Sequence, residues 1–429
     1  MVKQSAKPLE MNEKADIVIV GAGMSGCLLA LAIVKQSPTL NIVLIDDNPE
    51  KVDKGTHPGF DNRSIALSAG SCALLEQINI WSALQKDAQP IDDIHISDRG
   101  KLGIVNLEKQ HGNLPFGFVV ELQHVGAVLQ QQLEKYPQVK RIYNSVLIDI
   151  EKQPQSILCT VQNQTEQSTE TALPEPQIIE AKLCIAADGA NSLTKQLLSI
   201  SSTQFDYQCS AIIANVRCDK AHLNRAYERF TDAGPLALLP LSDNRYSLVW
   251  SVKNSELADL LELDESAFLA ALQKAFGYRA GVFKKAGKRY NYPLKLISSN
   301  KPFTHRGVAV GNAAHCLHPV MGQGFNLGMR DISVLANIIS ETANAEGNNA
   351  DKLGDYSMLS RYWQARQKDH HRTINMTDSI VHIFSNTHFP FVLGRTMALQ
   401  AISCFPALSS PIVKQAKGQF NLLIQEEKS

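Results

Sequence analysis

Two glycine-rich stretches, far apart in the chain, hold the residues best suited to chemistry. The later one, Arg306–Asp331, reads RGVAVGNAAHCLHPVMGQGFNLGMRD. A short apolar run, Val308–Val310, breaks at Gly311. The turn His318-Pro319-Val320-Met321-Gly322-Gln323-Gly324 then leads into a helix expected from about Phe325 or Asn326. Glycine lets a backbone approach a ligand closely. A helix N-terminus presents free N–H groups and a partial positive charge. The combination suits a planar group that gains negative charge, as a reduced flavin does at its N1/C2 carbonyl edge. Alone, such a loop reads first as an ordinary strand–turn–helix connection.

The earlier stretch adds the second signal. Asp16–Val20 (DIVIV) is a β-type run, followed by Gly21-Ala22-Gly23-Met24-Ser25-Gly26, a helix-competent segment over Cys27–Lys35, and a second strand, Asn41–Ile45, that ends at Asp46. Strand, GxGxxG, helix, strand and acid form the complete dinucleotide fingerprint, with Asp46 20 residues beyond Gly26. Gly21 makes the tight turn, Gly23 admits the pyrophosphate and Gly26 lets helix and sheet pack. Asp46 is placed to accept hydrogen bonds from an adenosine ribose. The fingerprint does not separate FAD from NAD. Arg63, between turn-like residues and a helix expected over Ala69–Ile78, is either a fork for a phosphate or carbonyl or a surface ion-pair partner. Asp188-Gly189, after the buried run Leu183–Ala187, is either a site or a plain turn.

The elements around these residues alternate in type. Residues 91–120 read as strands joined by turns, Leu122–Leu133 as an amphipathic helix, and Glu151–Glu180 as two exposed strands with a loop near Pro174-Glu175-Pro176. Gln208–Tyr292 is a β-meander with a helix over Asp264–Phe276, a plausible wall for a substrate pocket. Ile332–Ala343 continues the late helix, and Leu359–Ile380 reads as a long surface helix. His370 and His371 within it point about 100° apart, which argues against their sharing a metal. Phe389–Pro411 is apolar and broken by Pro390, Gly394 and Pro406; a helical cap, a partner-binding surface and a lipid contact are its readings, in that order.

Composition bounds the function. The 429 residues suffice for two or three domains. Lys+Arg and Asp+Glu balance at 42 each, so nothing points to a nucleic-acid partner or a strongly basic membrane face. The eight scattered cysteines form no CxxC and no zinc-ligand spacing, which suggests reduced thiols, a cytoplasmic setting and no metal site. No run reaches the roughly 18–20 apolar residues of a membrane span. Residues 1–14 lack the apolar core of a secretory signal and are expected to form a disordered tail.

Taken together, GAGMSG with Asp46, the Asp188-Gly189 turn and GNAAHCLHPVMGQGFNLGMRD resemble the single-component FAD-dependent aromatic hydroxylases over about residues 15–385. GFDNRSIALSAG, ERFTDAGPLALLPLSD, FNLGMRD and TDSIVHIFSN resemble the ubiquinone-biosynthesis members of that family. The implied fold is α/β and para-hydroxybenzoate hydroxylase-like. It has a Rossmann-like FAD-binding domain (15–90, 117–201 and 299–345), an inserted β-sheet substrate domain (91–116 and 202–298) and a C-terminal helical region (346–429). The implied activity is NAD(P)H-dependent hydroxylation of a prenylated phenol, with 2-polyprenyl-6-methoxyphenol as the nearest substrate, one atom of O2 being delivered through a flavin C4a-hydroperoxide. A hydroxylase acting at another ring position in the same pathway, a flavin-dependent isoprenoid reductase and a non-catalytic flavin-fold scaffold are the competing readings.

The resemblance also implies roles. Gly21, Gly23, Gly26 and Asp46 hold the ADP half of FAD, and Arg63 lies at its flavin side. Asp188 and Gly189 form a turn serving FAD and the nicotinamide cofactor. Gly311 and Asn312 contact the ribityl and pyrophosphate region. Pro319, Gly322, Gln323, Gly324 and Asn326 line the isoalloxazine, with Pro319, Gly322, Gln323, Gly324 and Arg63 nearest the chemistry. His315 and His318 are further polar candidates. The family's usual Asp and Arg are replaced by Asn312 and Lys195. An insoluble substrate implies a peripheral membrane encounter or a complex with other enzymes of the pathway.

Overall fold

The computed structural model describes residues 11–49, 63–109, 112–164, 175–345, 349–386 and 388–418. Its centre is a six-stranded sheet in the order Phe303–Thr304, Gly307–Ala309, Leu183–Ala186, Ile17–Val20, Ile42–Ile45, Val139–Ile142. All neighbours run parallel except the hairpin pair Phe303–Thr304 and Gly307–Ala309. The strands are short, apolar and buried on both faces, as a covered parallel sheet demands. Ile17 and Ile19 face helices Met24–Gln36, Leu122–Leu133 and Gln323–Asn344, while Val18 and Val20 face a four-stranded sheet. Side chains thus alternate between two cores with the period of a strand.

Register brings the motifs together. Val20 pairs with Ile45 and with Ala186, and Ala186 pairs with Ala309. Four strands therefore end level, and Gly21, Asp46, Ala187-Asp188 and Val310-Gly311 all leave from one edge. Ligands of open α/β sheets bind beyond this carboxyl edge.

The second large sheet has nine strands. Eight follow the order His315–Cys316, Tyr290–Ser298, Thr203–Cys218, Arg245–Lys253, Gly234–Leu241, Arg225–Thr231, Asp93–Asp98, Ile104–Glu108, and Phe283–Ala286 pairs with Thr203–Cys218. Its outer face, including Ile212, Leu236, Leu248 and Trp250, packs on the helix Glu265–Phe276. Asp264 caps that helix, its carboxylate accepting from the Ala267 N–H at 2.8 Å. The meander over 208–292 is therefore real, with an additional helix, Asn254–Glu262, that its charged composition had concealed.

Three expectations change. Met11–Lys14, expected in a disordered tail, forms a strand parallel to Gln177–Ala181; residues 1–10 lie outside the described part, as do 59–62 and Pro174. The late helix starts at Gln323, two or three residues early, because the turn itself winds through Val320–Gly322. The long helix, Tyr356–Ser385, is not merely a surface helix. Met358, Leu359, Tyr362, Arg366, Asp369, His370 and Thr373 form a buried stripe along it. Phe389–Pro411 falls on two helices, Phe389–Cys404 and Pro406–Lys417. No disulfide forms among the described residues. No single described helix is long and apolar enough to cross a membrane.

Candidate active site

The level strand ends open onto a cavity of about 1060 Å³ between the two sheets. That is at the upper end of small-molecule sites, about 300–1000 Å³. Two helices point uncapped N-termini at it: Met24–Gln36, led by Gly23, and Gln323–Asn344, led by Gly322. Neither leading residue supplies a side-chain cap, so the first-turn N–H groups remain available to an anion or carbonyl.

The first motif is shaped by contact. Gly21 has φ +106°, and a Cβ there would lie 2.4 Å from the Ala187 carbonyl oxygen. A Cβ on Gly26 would lie 1.9 Å from the Gly21 oxygen, so Gly26 serves helix–sheet packing and stays behind the wall. A Cβ on Gly23 would meet nothing within 4 Å, which leaves an open cradle on the cavity. Asp46 lines the same end; its carboxylate accepts from the Ala22 N–H at 2.5 Å and from the Asn48 N–H at 2.9 Å. Open cradle, two helix N-termini and an acid at the second strand's end fit a dinucleotide such as FAD.

The other predicted residues divide. Arg63, Asp188, Gly189, Asn312, Pro319, Gly322, Gly324 and Asn326 line the cavity. Arg63 lies over the Tyr292 ring at 4.8 Å from its centroid, on the cavity side. Asp188 accepts from the Ser192 hydroxyl and the Thr194 N–H, so it also fixes the turn it begins. Asn326 makes four bonds. Its Oδ1 accepts from the Ser68 N–H at 2.8 Å and the Ser71 hydroxyl at 2.6 Å; its Nδ2 donates to the Ala66 and Gly322 carbonyls at 2.9 and 2.7 Å. It ties the late turn to the strand that follows Arg63 and to the helix after it.

Gly311 and Gln323 stand behind the wall. Gly311, at φ +57°, packs on Ser25. Gln323 is buried, and its Oε1 accepts from Gln415 Nε2 at 2.9 Å. Lys195 also points away, its Nζ 3.3 Å from the Ser202 hydroxyl. His318 packs edge-on against Tyr207 and is outside the lining; burial pushes its pKa down to about 4.

His315 belongs to a different structure. Its Nε2 lies 2.8 Å from Asp331 Oδ2, while Asp331 Oδ1 meets His370 Nε2 at 2.8 Å and Arg366 Nε at 2.6 Å. Arg366 also reaches Asp369 at 2.6 Å, which Arg330 joins at 2.7 Å. All but Arg330 are buried. Burial opposes ionisation of Asp331, but His370, Arg366 and the imidazole bonds outweigh it and hold the carboxyl well below the usual range. Burial pushes the His315 pKa down. Three donor atoms here lie within 4.8 Å, a metal-like spacing, yet the Arg366 guanidinium already meets the carboxylate's charge. The cluster clamps the late helix to the long helix. His370 and His371 do diverge as expected; the partner of His370 lies 39 residues away in sequence, where no local spacing reveals it.

Sequence reasoning also missed Glu228 and Tyr292. Both are cavity residues from the nine-stranded sheet. Glu228 sits in a strand buried on both faces, so locating it needs the register; Tyr292 lies on the inward side of a strand whose alternate residues Asn291, Pro293 and Lys295 are exposed.

The comparisons with known proteins agree with this geometry. The FAD binding domain family model matches residues 14–367. The chain is 30% identical to ubiquinone hydroxylase UbiL of Rhodospirillum rubrum over 96% of its length and 91% of that protein. It is 29% identical to 3-demethoxyubiquinol 3-hydroxylase of Escherichia coli, covering 95% of this chain and 99% of that one. The crystal structure of p-nitrophenol 4-monooxygenase PnpA from Pseudomonas putida superposes with a TM-score of 0.75 at 16% identity, covering 95% of this chain and 100% of that one.

Proposed function

Because this chain belongs to the FAD-dependent hydroxylases of ubiquinone biosynthesis, monooxygenases that draw electrons from NAD(P)H, we propose that it converts 2-polyprenyl-6-methoxyphenol to the 1,4-benzoquinol. The observation that supports a lipidic phenol is the wall facing the cofactor edge. Ile94, Ile96, Ala226, Ala237, Leu239 and Val249 present an apolar sheet face to the cavity. Such a face accepts an aromatic ring with an isoprenoid chain and excludes water from the reaction.

FAD bound at the strand edge supplies the oxygen-activating chemistry. Gly21, Gly23 and Asp46 hold its adenosine and pyrophosphate half, and Asp188, Gly189 and Asn312 its middle. Pro319, Gly322, Gly324 and Asn326 form the turn beside the ring system, where the helix N-terminus favours negative charge. Arg63, oriented by Tyr292, supplies the positive charge on that side. Gly26, Gly311 and Gln323 act from behind by keeping the turns in place.

The product also needs a route to lipid. On helices Phe389–Cys404 and Pro406–Lys417, Phe389, Phe391, Met397, Phe405 and Leu408 are exposed, while Arg395 on the opposite side pairs with buried Asp98 at 2.7 Å. An anchored helix pair with an apolar outer face suits the surface of a bilayer. Replacing Phe389, Phe405 and Leu408 by Ser is expected to abolish co-sedimentation with phospholipid vesicles and preserve the melting temperature. Unchanged sedimentation excludes lipid and leaves another enzyme of the pathway as the occupant.

The deciding experiment is mass-spectrometric profiling of quinone intermediates in cells lacking the protein. Accumulation of 2-polyprenyl-6-methoxyphenol, reversed by the wild type and not by Gly21→Ala, is the expected result. Accumulation of a demethoxyubiquinol moves the reaction to another ring carbon. Normal quinone with no accumulated phenol overturns the substrate assignment.

A further inference from the structure

The substrate-side wall carries one group that does not belong among hydrocarbons. In the nine-stranded sheet Glu228 pairs across to Ala237 on one side and Ile96 on the other. Ala237 pairs with Val249, and Val249 with Ile213. These positions share a face, and all of them line the cavity. Glu228 is the one carboxylate that this sheet contributes to the cavity among the described residues. It is 7% exposed, and its Oε1 is buried with no hydrogen-bond partner. The backbone of Met321, in the late glycine-rich turn, lies near enough to the carboxyl to offset part of the effect of its burial. A buried carboxyl oxygen without a partner has lost its bonds to water, a penalty relieved when a ligand supplies a donor.

We propose that Glu228 is the base that accepts the proton of the substrate's ring hydroxyl, a role that rests on the phenol reading above. The phenol O–H bond breaks, the proton joins Glu228 Oε1, and the released electron pair enters the ring and makes its para carbon nucleophilic. After that carbon has gained its oxygen, which O2 supplies in the family's reaction, its own C–H proton leaves to solvent. Glu228 then returns the stored proton to the ring oxygen. Glu228 ends as it began, and no further oxidant is needed.

The surroundings suit the role. Burial raises the carboxyl to about 8, and the Met321 backbone opposes that only in part. The neighbouring strands offer Ile96 and Ala237. Of the titratable groups on packed elements, His95 faces Tyr227 on the other side, His318 packs on Tyr207, and Asp378 of the long helix accepts from the Tyr207 hydroxyl. Arg63 is engaged with Tyr292. A base near 8 is far better matched to a phenol, whose own proton is lost near 10, than an ordinary carboxylate near 4.

The test uses FAD-loaded enzyme with NAD(P)H and the soluble probe 2-allyl-6-methoxyphenol. Wild-type product formation is expected to climb about tenfold per pH unit from about pH 6 and to level off beyond about 8. Glu228→Gln keeps an oxygen that accepts the phenol hydrogen bond but cannot take the proton. Its product per NAD(P)H is expected to fall about 100-fold, its pH limb to vanish, and its probe affinity, read from the flavin spectrum, to stay within about threefold. Glu228→Asp is expected to regain part of the rate together with the limb. A Gln variant within about twofold of wild type with the same pH limb overturns the proposal. If the Gln variant fails to bind FAD, a wild-type profile that is flat between about pH 6 and about pH 9 does so alone. Bound probe that never yields hydroxylated product overturns the phenol reading first and this one with it.

Discussion

The burial of Glu228 has a consequence for stability that requires no turnover. Burial moves its carboxyl from 4.5 to about 8. The folded pKa lies above the unfolded one, so the folded chain keeps a proton that the unfolded chain has lost. This contribution is fully present below about pH 4.5 and disappears as pH rises to about 8, above which both states are ionised. At about 1.4 kcal/mol per pH unit the loss is about 5 kcal/mol. Glu228→Gln has no such ionisation. The stability difference between the Gln variant and the wild type should therefore widen in favour of the variant by about 5 kcal/mol between about pH 4.5 and about pH 8. Other groups titrating in this window cancel, because both proteins share them. The assay is urea unfolding of the FAD-loaded proteins at several pH values, followed by tryptophan fluorescence, with Trp250 in the core of the same sheet. A difference that stays constant across the range would refute the claim that the carboxyl is neutral in the folded state.

Three further outcomes are expected. Asp331→Ala leaves Arg366 with Asp369 alone and removes the shared acceptor of His315 and His370, and should cost about 3–5 kcal/mol by thermal unfolding; a loss below about 1 kcal/mol contradicts the clamp. Gly21→Ala places a Cβ 2.4 Å from the Ala187 oxygen at a φ of +106° and should yield colourless protein without FAD, whereas a yellow stoichiometric complex shows that the turn adapts. His318 has a folded pKa near 4 against about 6.5 unfolded, so its stability contribution is present above about 6.5 and lost as pH falls through about 4. His318→Gln should accordingly remove about 3 kcal/mol of acid sensitivity, checked by unfolding at about pH 4 and about pH 7.

How much of this was legible without coordinates depends on the range of each interaction. The dinucleotide motif, its acid and the late turn are local patterns, and periodicity placed their strands within a residue or two. The convergence of four motifs follows from parallel strands ending level, which the α/β reading implied. Asn326 was legible as part of a motif, but its four-way bonding to Ser68, Ser71, Ala66 and Gly322 was not. Glu228 lay hidden because RAYERF is buried on both faces, so alternation does not reveal which parity looks into the cavity. His315, Asp331, Arg366 and His370 were out of reach for a different reason. They join two helices through charge, and long-range ion clusters leave no period.

The late turn shows why these parts act as one. At its start, Ser298 and Ile297 pair with His315 and Cys316, which places that strand at the edge of the nine-stranded sheet although it directly follows the six-stranded sheet's Gly307–Ala309 in sequence. At its end, the helix Gln323–Asn344 packs on Met24–Gln36 in the nucleotide core and is clamped to the long helix through Asp331. Between them, Met321 takes the left-handed conformation at φ +54°, and its backbone lies near Glu228. A residue other than glycine is held there only when its surroundings over-determine it. Here the sheet before the turn and the helix after it do so together. The turn expected to hold the cofactor's ring thus also positions the proposed base, and a shift of either sheet would disturb both.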